Sequence, residues 1–293
     1  MDKIKDYIHS KRSTLSKSSI TTYASILKNL YKKVFKDDDM DLGKFDNSEP
    51  VLTFLKDMPP NRRKTILSAL VIITDKKAYR DLMAEDVRDY NKDISKQEKT
   101  PQQEAAWVET SQVNEICAEL KKVADLLYKK KQLSAADLQQ IQNYIIMCVL
   151  GGCYISPRRS KDYVDFKIRN IDKEKDNYLD KGKFVFNSYK TAKTYGTQTV
   201  DIPVQLKNII NKWIRANPTD HLLFDANGGK LSAVKLNQRI NKIFDGRKVS
   251  VNQLRHTFLT DKFGDTIQKK KEIAETMEDM GSSSNMLDSY VKK

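Results

Sequence analysis

An arginine and a tyrosine close to the end of the chain are the residues best suited to chemistry. Arg255 sits in the run Val251-Asn252-Gln253-Leu254-Arg255-His256-Thr257-Phe258, at the head of an amphipathic segment, and Tyr290 lies three residues from the end. A guanidinium grips phosphate through paired hydrogen bonds, and a phenol that has lost its proton can attack it. Between them run a helical pattern and the turn Gly281-Ser282-Ser283-Ser284, which can fold the tyrosine back onto the arginine. The pair points to phosphoryl transfer on a DNA backbone, with further cations to come from elsewhere in the chain.

Three other places can supply them. Arg158 and Arg159 follow an apolar run, residues 145–150, and the turn Gly151-Gly152. Ser156 is the expected N-cap there, with Pro157 at the first helical position. Arginines beside a core need anionic partners, and either Asp162 or a bound phosphate would serve. Lys190 and Lys193 lie between two β-like runs, 184–186 and 199–202. They can reach a phosphate or a leaving oxygen, or simply keep a sheet edge soluble. Arg239 and Lys242 share the polar side of a helix over 233–244 with Asn237. In the first third of the chain, Arg62, Arg63 and Lys64 crowd the first turn of a helix starting at Asn61. Positive charge opposes the helix dipole there, so phosphate contact would relieve it; a solvated face is the other reading.

The elements that must hold these groups are mostly helical. Ile20, Tyr23, Ala24, Leu27, Leu30, Tyr31 and Val34 recur at helical spacing over 18–34, with Ser16, Ser18 and Ser19 as candidate caps. Shorter helices are expected over 51–57, from Asn61, and over 77–89, making a four-helix domain over residues 1–92. Apolar periodicity vanishes from 90 to 103, so residues 93–106 are read as a linker. A second domain, 107–293, should contain helices over 111–131 and 134–150, the latter apolar all round and so buried. Residues 166–203 turn β-like, with Gly182 and Gly196 marking turns, and helices resume over 204–216 and 233–244. The expected fold class is therefore mainly α with a small antiparallel β-sheet.

A formal net charge of +14 favours a polyanionic partner, and residues 1–100 and 101–293 are each net basic, as a clamp around a duplex requires. Cys117, Cys148 and Cys153 lack metal-ligand spacing and read as free thiols in a reducing compartment; His9, His221 and His256 are too scattered for zinc. With no signal peptide pattern and no apolar run of membrane-spanning length, an intracellular location is expected and no membrane partner.

In this order the residues resemble the tyrosine recombinases, the phage-integrase type of site-specific recombinase. Arg159-Ser160-Lys161-Asp162 matches the family's first arginine motif, an arginine followed three residues later by an acid. Arg158 would put Lys161 in the acidic place, so it is expected as a neighbour touching backbone phosphate. Lys190, which begins a Lys-Thr pair, matches the hairpin lysine better than Lys193. Leu254-Arg255-His256-Thr257-Phe258 matches the second arginine motif, and Met280-Gly281-Ser282 the Gly-His element that precedes the tyrosine. Two positions depart. Asn252 stands where histidine or lysine is usual, and Ser282 where histidine or tryptophan is usual. Asn252 can still donate to a phosphate oxygen but cannot act as an acid or base near neutrality.

The resemblance implies a helical DNA-binding domain followed by a catalytic domain acting on double-stranded DNA. Tyr290 would attack a phosphodiester, leaving a 3′-phosphotyrosine and a free 5′-hydroxyl, and a second 5′-hydroxyl would reverse the step without metal or other cofactor. Arg159 and Arg255 would neutralise the transition state, with Lys190 protonating the departing oxygen. A homo-oligomer, a tetramer on DNA, follows from the same resemblance. The Pro-Arg-Arg-x-x-Asp-Tyr form is similar to proteins of large DNA viruses and their mobile elements. A type IB topoisomerase-like enzyme shares the constellation, and a DNA-binding protein without efficient catalysis is suggested by Asn252 and Ser282.

Overall fold

A serine and an apolar stripe set the first long helix. In the computed structural model, which describes residues 3–292, α1 spans Lys3–Lys11 and α2 Lys17–Phe35, and the Ser16 hydroxyl caps α2 by accepting from Ser19 N. A 3-10 turn, Leu42–Asp46, leads to α3, Ser48–Leu55, then α4, Pro60–Thr74, and α5, Lys77–Ser95. Leu27, Tyr31, Phe45, Leu67, Leu70 and Tyr79 form the heart of this core. Tyr79 spans it, donating its hydroxyl to the Phe45 carbonyl at 2.8 Å. The α1 helix had no counterpart in the sequence reading; only Ile4 and Ile8 of it are buried.

The chain divides between Lys99 and Thr100 into two compact units. That point lies within the segment read as a linker, yet the segment is largely helical. Helix α5 runs on to Ser95 with its polar side chains in solvent, and α6, Pro101–Ala105, carries a capping box. There Gln103 N donates to Thr100 Oγ1 and Thr100 N to Gln103 Oε1. Caps and exposed i,i+4 spacing support helix without any apolar stripe, which is why periodicity missed it.

The second unit is built around a buried helix. Helix α7, Thr110–Leu127, packs on α8, Ala135–Leu150, whose residues 144–150 are all buried. After α9, Ser160–Val164, come β1 (Phe166–Lys167), β2 (Asn177–Asp180) and β3 (Lys183–Phe186). Helix α10, Ala192–Tyr195, interrupts the chain before β4, Gln198–Asp201. Helices α11, Val204–Ala216, and α12, Ala233–Ile243, both touch α8. The unit ends with α13, Val251–Asp279, a 3-10 turn, Ser284–Met286, and α14, Leu287–Tyr290.

The sheet differs from the antiparallel one expected. Its order is β1-β2-β3-β4, and β1 runs parallel to β2 (Phe166 opposite Asn177), so the sheet is mixed. The other two pairs are antiparallel. Lys181 and Gly182 both have positive φ in the two-residue turn from β2 to β3, the twist such hairpins favour. Two-residue β1 is too short to show a strand pattern in sequence. Tyr163, Phe166, Phe184 and Phe186 interlock edge-on beneath the sheet, and Trp213 stacks on Phe224. Among the described residues no helix is long and apolar enough to cross a membrane.

Candidate functional site

The start of α13 is held by three polar contacts and one close apolar approach. Ser250 caps it by accepting from Gln253 N, and Val251 N donates to Asn237 Oδ1 at 3.1 Å. Thr257, buried, donates to the Val108 carbonyl at 2.7 Å. Gly152, at φ +89°, lies so near Phe258 that an added Cβ would sit 2.6 Å from the ring. The α8 end and the α13 start are thus pinned together, and Arg255 projects one turn into α13 on a half-buried face.

Across from it, residues 158–162 arrange differently from expectation. Helix α9 starts at Ser160, not after Ser156, and Arg159 takes the N-cap position with extended backbone. Asp162 then lies one turn inside and pairs with Arg158, Nε to Oδ2 at 2.8 Å, rather than with Arg159. Arg158 also donates to Gln198 Oε1 on β4, and its guanidinium carbon lies over the Phe186 ring, 4.1 Å from the centroid. Its guanidinium is therefore absorbed by the fold, which corrects its reading as a phosphate contact. Arg159 is exposed, and no partner for its side chain is found among the described residues.

Electrostatics tie these groups together. Burial, then the nearby positive charges of Arg159 and Arg158, pull the Arg255 pKa below the usual guanidinium range, with Asp162 opposing. Burial raises the Asp162 pKa against the pull of Arg158, Arg159 and Arg255. Its second oxygen, Oδ1, is buried and accepts no hydrogen bond. Arg159 and Arg255 thus share one neighbourhood whose carboxylate already serves Arg158.

Lys190 flanks this cluster. It is exposed in the loop between β3 and α10, and the ring of adjacent Tyr189 lies 5.3 Å from the Arg158 guanidinium. Tyr189 donates to the Gly196 carbonyl at 2.7 Å, closing the loop. Buried Asn177 fastens its base: Nδ2 donates to the carbonyls of Asp162 and Ser188, and Oδ1 accepts from the amides of Asn187 and Ser188. One side chain so joins α9 to the lysine loop. Neither Asn177 nor Gln198 was singled out from sequence, since each gains its role only from long-range contacts.

The remaining candidates scatter. Asn252 is exposed and bridges Arg255 Nη1, at 3.4 Å, to His256 Nε2, at 3.1 Å. Lys193 and Lys242 are exposed. Arg239 is turned inward onto Gln139 and Asn143 of α8, where burial pulls its pKa down to about 10; it is a core strut, not a surface contact. In the first unit Arg62 is exposed and Lys64 sits over the Tyr90 ring. Arg63 forks onto fully buried Asp86, which removes it from the phosphate-contact set.

Tyr290 is not brought to the arginines. Helix α13 is unbroken for 29 residues. From Arg255 to Met277 it advances about 33 Å at the α-helical rise. Gly281, at φ +69°, and Ser282 close its end, with Ser282 N donating to the Met277 carbonyl at 2.8 Å. The residues after Ser283 turn through 3-10 and helical conformation and span roughly 14 Å at most. No hydrogen bond, ion pair or ring contact joins Tyr290 to Arg159 or Arg255 among the described residues. The tyrosine side chain is 56% exposed. The turn that was to fold the tyrosine back instead caps the far end of a long helix.

No protein-family model matches the chain, and no curated protein matches it. Among solved structures, the chain is similar to XerA recombinase with a TM-score of 0.34 and 13% identity, over 89% of this chain and 83% of that one. It is also similar to XerH site-specific recombinase bound to its difH substrate in a pre-cleavage complex. There the TM-score is 0.35 and the identity 14%, over 97% of this chain and 90% of that one.

Proposed function

We propose that the second unit binds a phosphodiester of double-stranded DNA between Arg159 and Arg255 and passes it to a tyrosine, as a site-specific recombinase or integrase does. The observation that carries this is the paired guanidiniums. Arg159 and Arg255 are near enough for their like charges to oppose each other, while the carboxylate beside them pairs with Arg158. A phosphodiester supplies the missing negative charge and two non-bridging oxygens, one for each fork. Lys190, on the loop that Asn177 fastens, protonates the departing 5′-oxygen. Tyr290 is the nucleophile, forming a 3′-phosphotyrosine, and the chain works as an oligomer on DNA. Net charge of +14 favours duplex binding that weakens steeply with salt.

The test is covalent capture. Wild-type protein incubated with nicked duplex should give an SDS-resistant adduct that Tyr290→Phe abolishes. Arg159→Ala and Arg255→Ala should each slow it by roughly 100-fold or more, the usual cost of losing one charge-stabilising donor. A second reading, binding without cleavage, is favoured by Tyr290 being exposed and sharing no hydrogen bond with Arg159 or Arg255 among the described residues. No adduct on any DNA, genomic fragments included, would establish it, and an adduct with relaxation but no strand exchange would indicate topoisomerase-like action.

A further inference from the structure

The sheet has two ends, and only one belongs to the arginine cluster. Strand β3 runs from Lys183 to Phe186, and Arg158 and Gln198 meet at the Phe186 end. The other end lies about 10 Å along the strand. There a hollow of about 300 Å³ opens between β1, the Lys181-Gly182 turn and α11. Its apolar lining is aliphatic and half-buried, with Ile171, Leu179 and Ile214 in it. Lys167, Lys181 and Lys207 line it too, and no acidic residue does. Lys207 reaches over the turn, since a Cβ built on Gly182 would lie 3.6 Å from its Nζ. Nearby Lys183 pairs with Asp201, but no carboxylate pairs with these three lysines among the described residues. A second hollow, of about 570 Å³, shares Asn211 and Ile214 with the first and adds Lys212 and Arg215. From Lys207 to Arg215 the helix advances about 12 Å, the reach of roughly four extended residues.

We propose that this groove binds an extended acidic peptide segment of a partner protein. An apolar side chain of the peptide sits on the aliphatic lining, and flanking carboxylates meet the lysines. Charge complementarity selects the occupant, because five cations here are gathered without an acid. The aliphatic lining narrows it further. A duplex turns sugar and phosphate outward and has no apolar side chain to seat there. Single-stranded nucleic acid is held by stacking on aromatic rings, and neither hollow has one in its lining. Two joined hollows suit a chain rather than a compact anion, and the Asn211 amide, common to both, can pair with a peptide backbone. The assignment stands apart from the strand-transfer reading, since the arginine cluster lies at the opposite end of β3.

The probe is a fluorescein-labelled peptide in which leucines alternate with glutamates, titrated into the full chain and followed by anisotropy. Its binding should saturate. Lys207→Glu with Lys212→Glu, both at exposed helix positions, should weaken it roughly tenfold or more. Serine in place of the probe's leucines should weaken it by a similar factor, about the worth of one buried aliphatic side chain. Lys17→Glu with Lys33→Glu, exposed on α2, changes the net charge equally and should leave binding as it was. An equal loss in that control would reduce the effect to net charge and overturn the site. In amide hydrogen exchange the probe should protect residues 167–182 and 204–216, and protection confined to the surroundings of Arg159 and Arg255 would overturn it. Saturating duplex should leave the probe bound. Displacement by duplex, with duplex affinity lowered in the Lys207 and Lys212 double variant, would assign the groove to nucleic acid instead. Failure of the probe to bind would overturn the proposal outright.

Discussion

Arg63 offers a direct test of whether a cation is held for the fold or for a ligand. Its Nε lies 3.0 Å and its Nη2 2.6 Å from the two Asp86 oxygens, and Nη1 donates to the Lys56 carbonyl at 3.0 Å. One side chain so ties α4 to α5 and to the end of α3. Asp86 is 0% exposed. Arg63→Ala leaves that carboxylate buried with no cation, a loss of about 3–5 kcal/mol in comparable pairs. This is a large share of the roughly 5–15 kcal/mol that holds a domain together. Replacing both partners, Arg63→Met with Asp86→Leu, should recover most of it, because the desolvation cost of both charges disappears. Arg63→Lys should recover little, since an ammonium cannot span two carboxylate oxygens and a carbonyl. The measurement is amide hydrogen exchange of α4 and α5 in the full chain, with urea unfolding followed on the same peptides. If Arg63→Ala kept wild-type protection while its DNA affinity fell and the salt slope dropped by about one unit, Arg63 would be a phosphate contact and this reasoning would be wrong.

Gly152→Ala should destabilise the second unit by roughly 2–4 kcal/mol in urea unfolding, from its left-handed backbone and the clash with Phe258. Adding Phe258→Ala should lift the clash but not the backbone cost. Thr257→Val should lose about 1–3 kcal/mol, leaving the buried Val108 carbonyl without its donor. The Asp137 pKa is lowered to about 2, first by its hydrogen bond from Lys130 and then by those from Ser134. Because the folded value lies below the unfolded one, its stabilisation is complete above about pH 4 and disappears as pH falls toward 2. Asp137→Asn should flatten the acid limb of a thermal-melt series over that window.

How much was readable beforehand depended on how local the cause was. The helices with apolar stripes or serine caps, α2, α7, α8, α11 and α12, stand close to where periodicity put them, because burial of one face is written in spacing. Helix α1, the end of α5 and α6 were missed, since each is held by caps, polar spacing or a few distant contacts. Strand β1 is two residues long and owes its existence to the register of β2. The arginine-rich turn and the α13 start were legible as places where cations gather. That Arg239 and Arg63 face inward was not, because Gln139 lies 100 positions from Arg239 and Asp86 lies 23 from Arg63. Charge alone cannot tell a strut from a contact. Its partner decides.

The same distinction separates the two adjacent arginines. The motif match set Asp162 three residues after Arg159 and left open which arginine its carboxylate serves. With α9 beginning at Ser160, Arg159 is its N-cap with extended backbone, and the Asp162 carboxylate is reached instead by Arg158, which precedes the helix. Phe186 and Tyr189 then lie under Arg158, and Gln198 accepts from its Nη2, so the strand-to-loop corner bearing Lys190 is built on that guanidinium. Arg159 is released by the same geometry. A structural arginine beside a free one keeps the local field positive without filling the position where phosphate would sit. It follows that Arg158→Ala should act through stability and through Lys190 placement, whereas Arg159→Ala should leave the fold intact and remove the anion's partner.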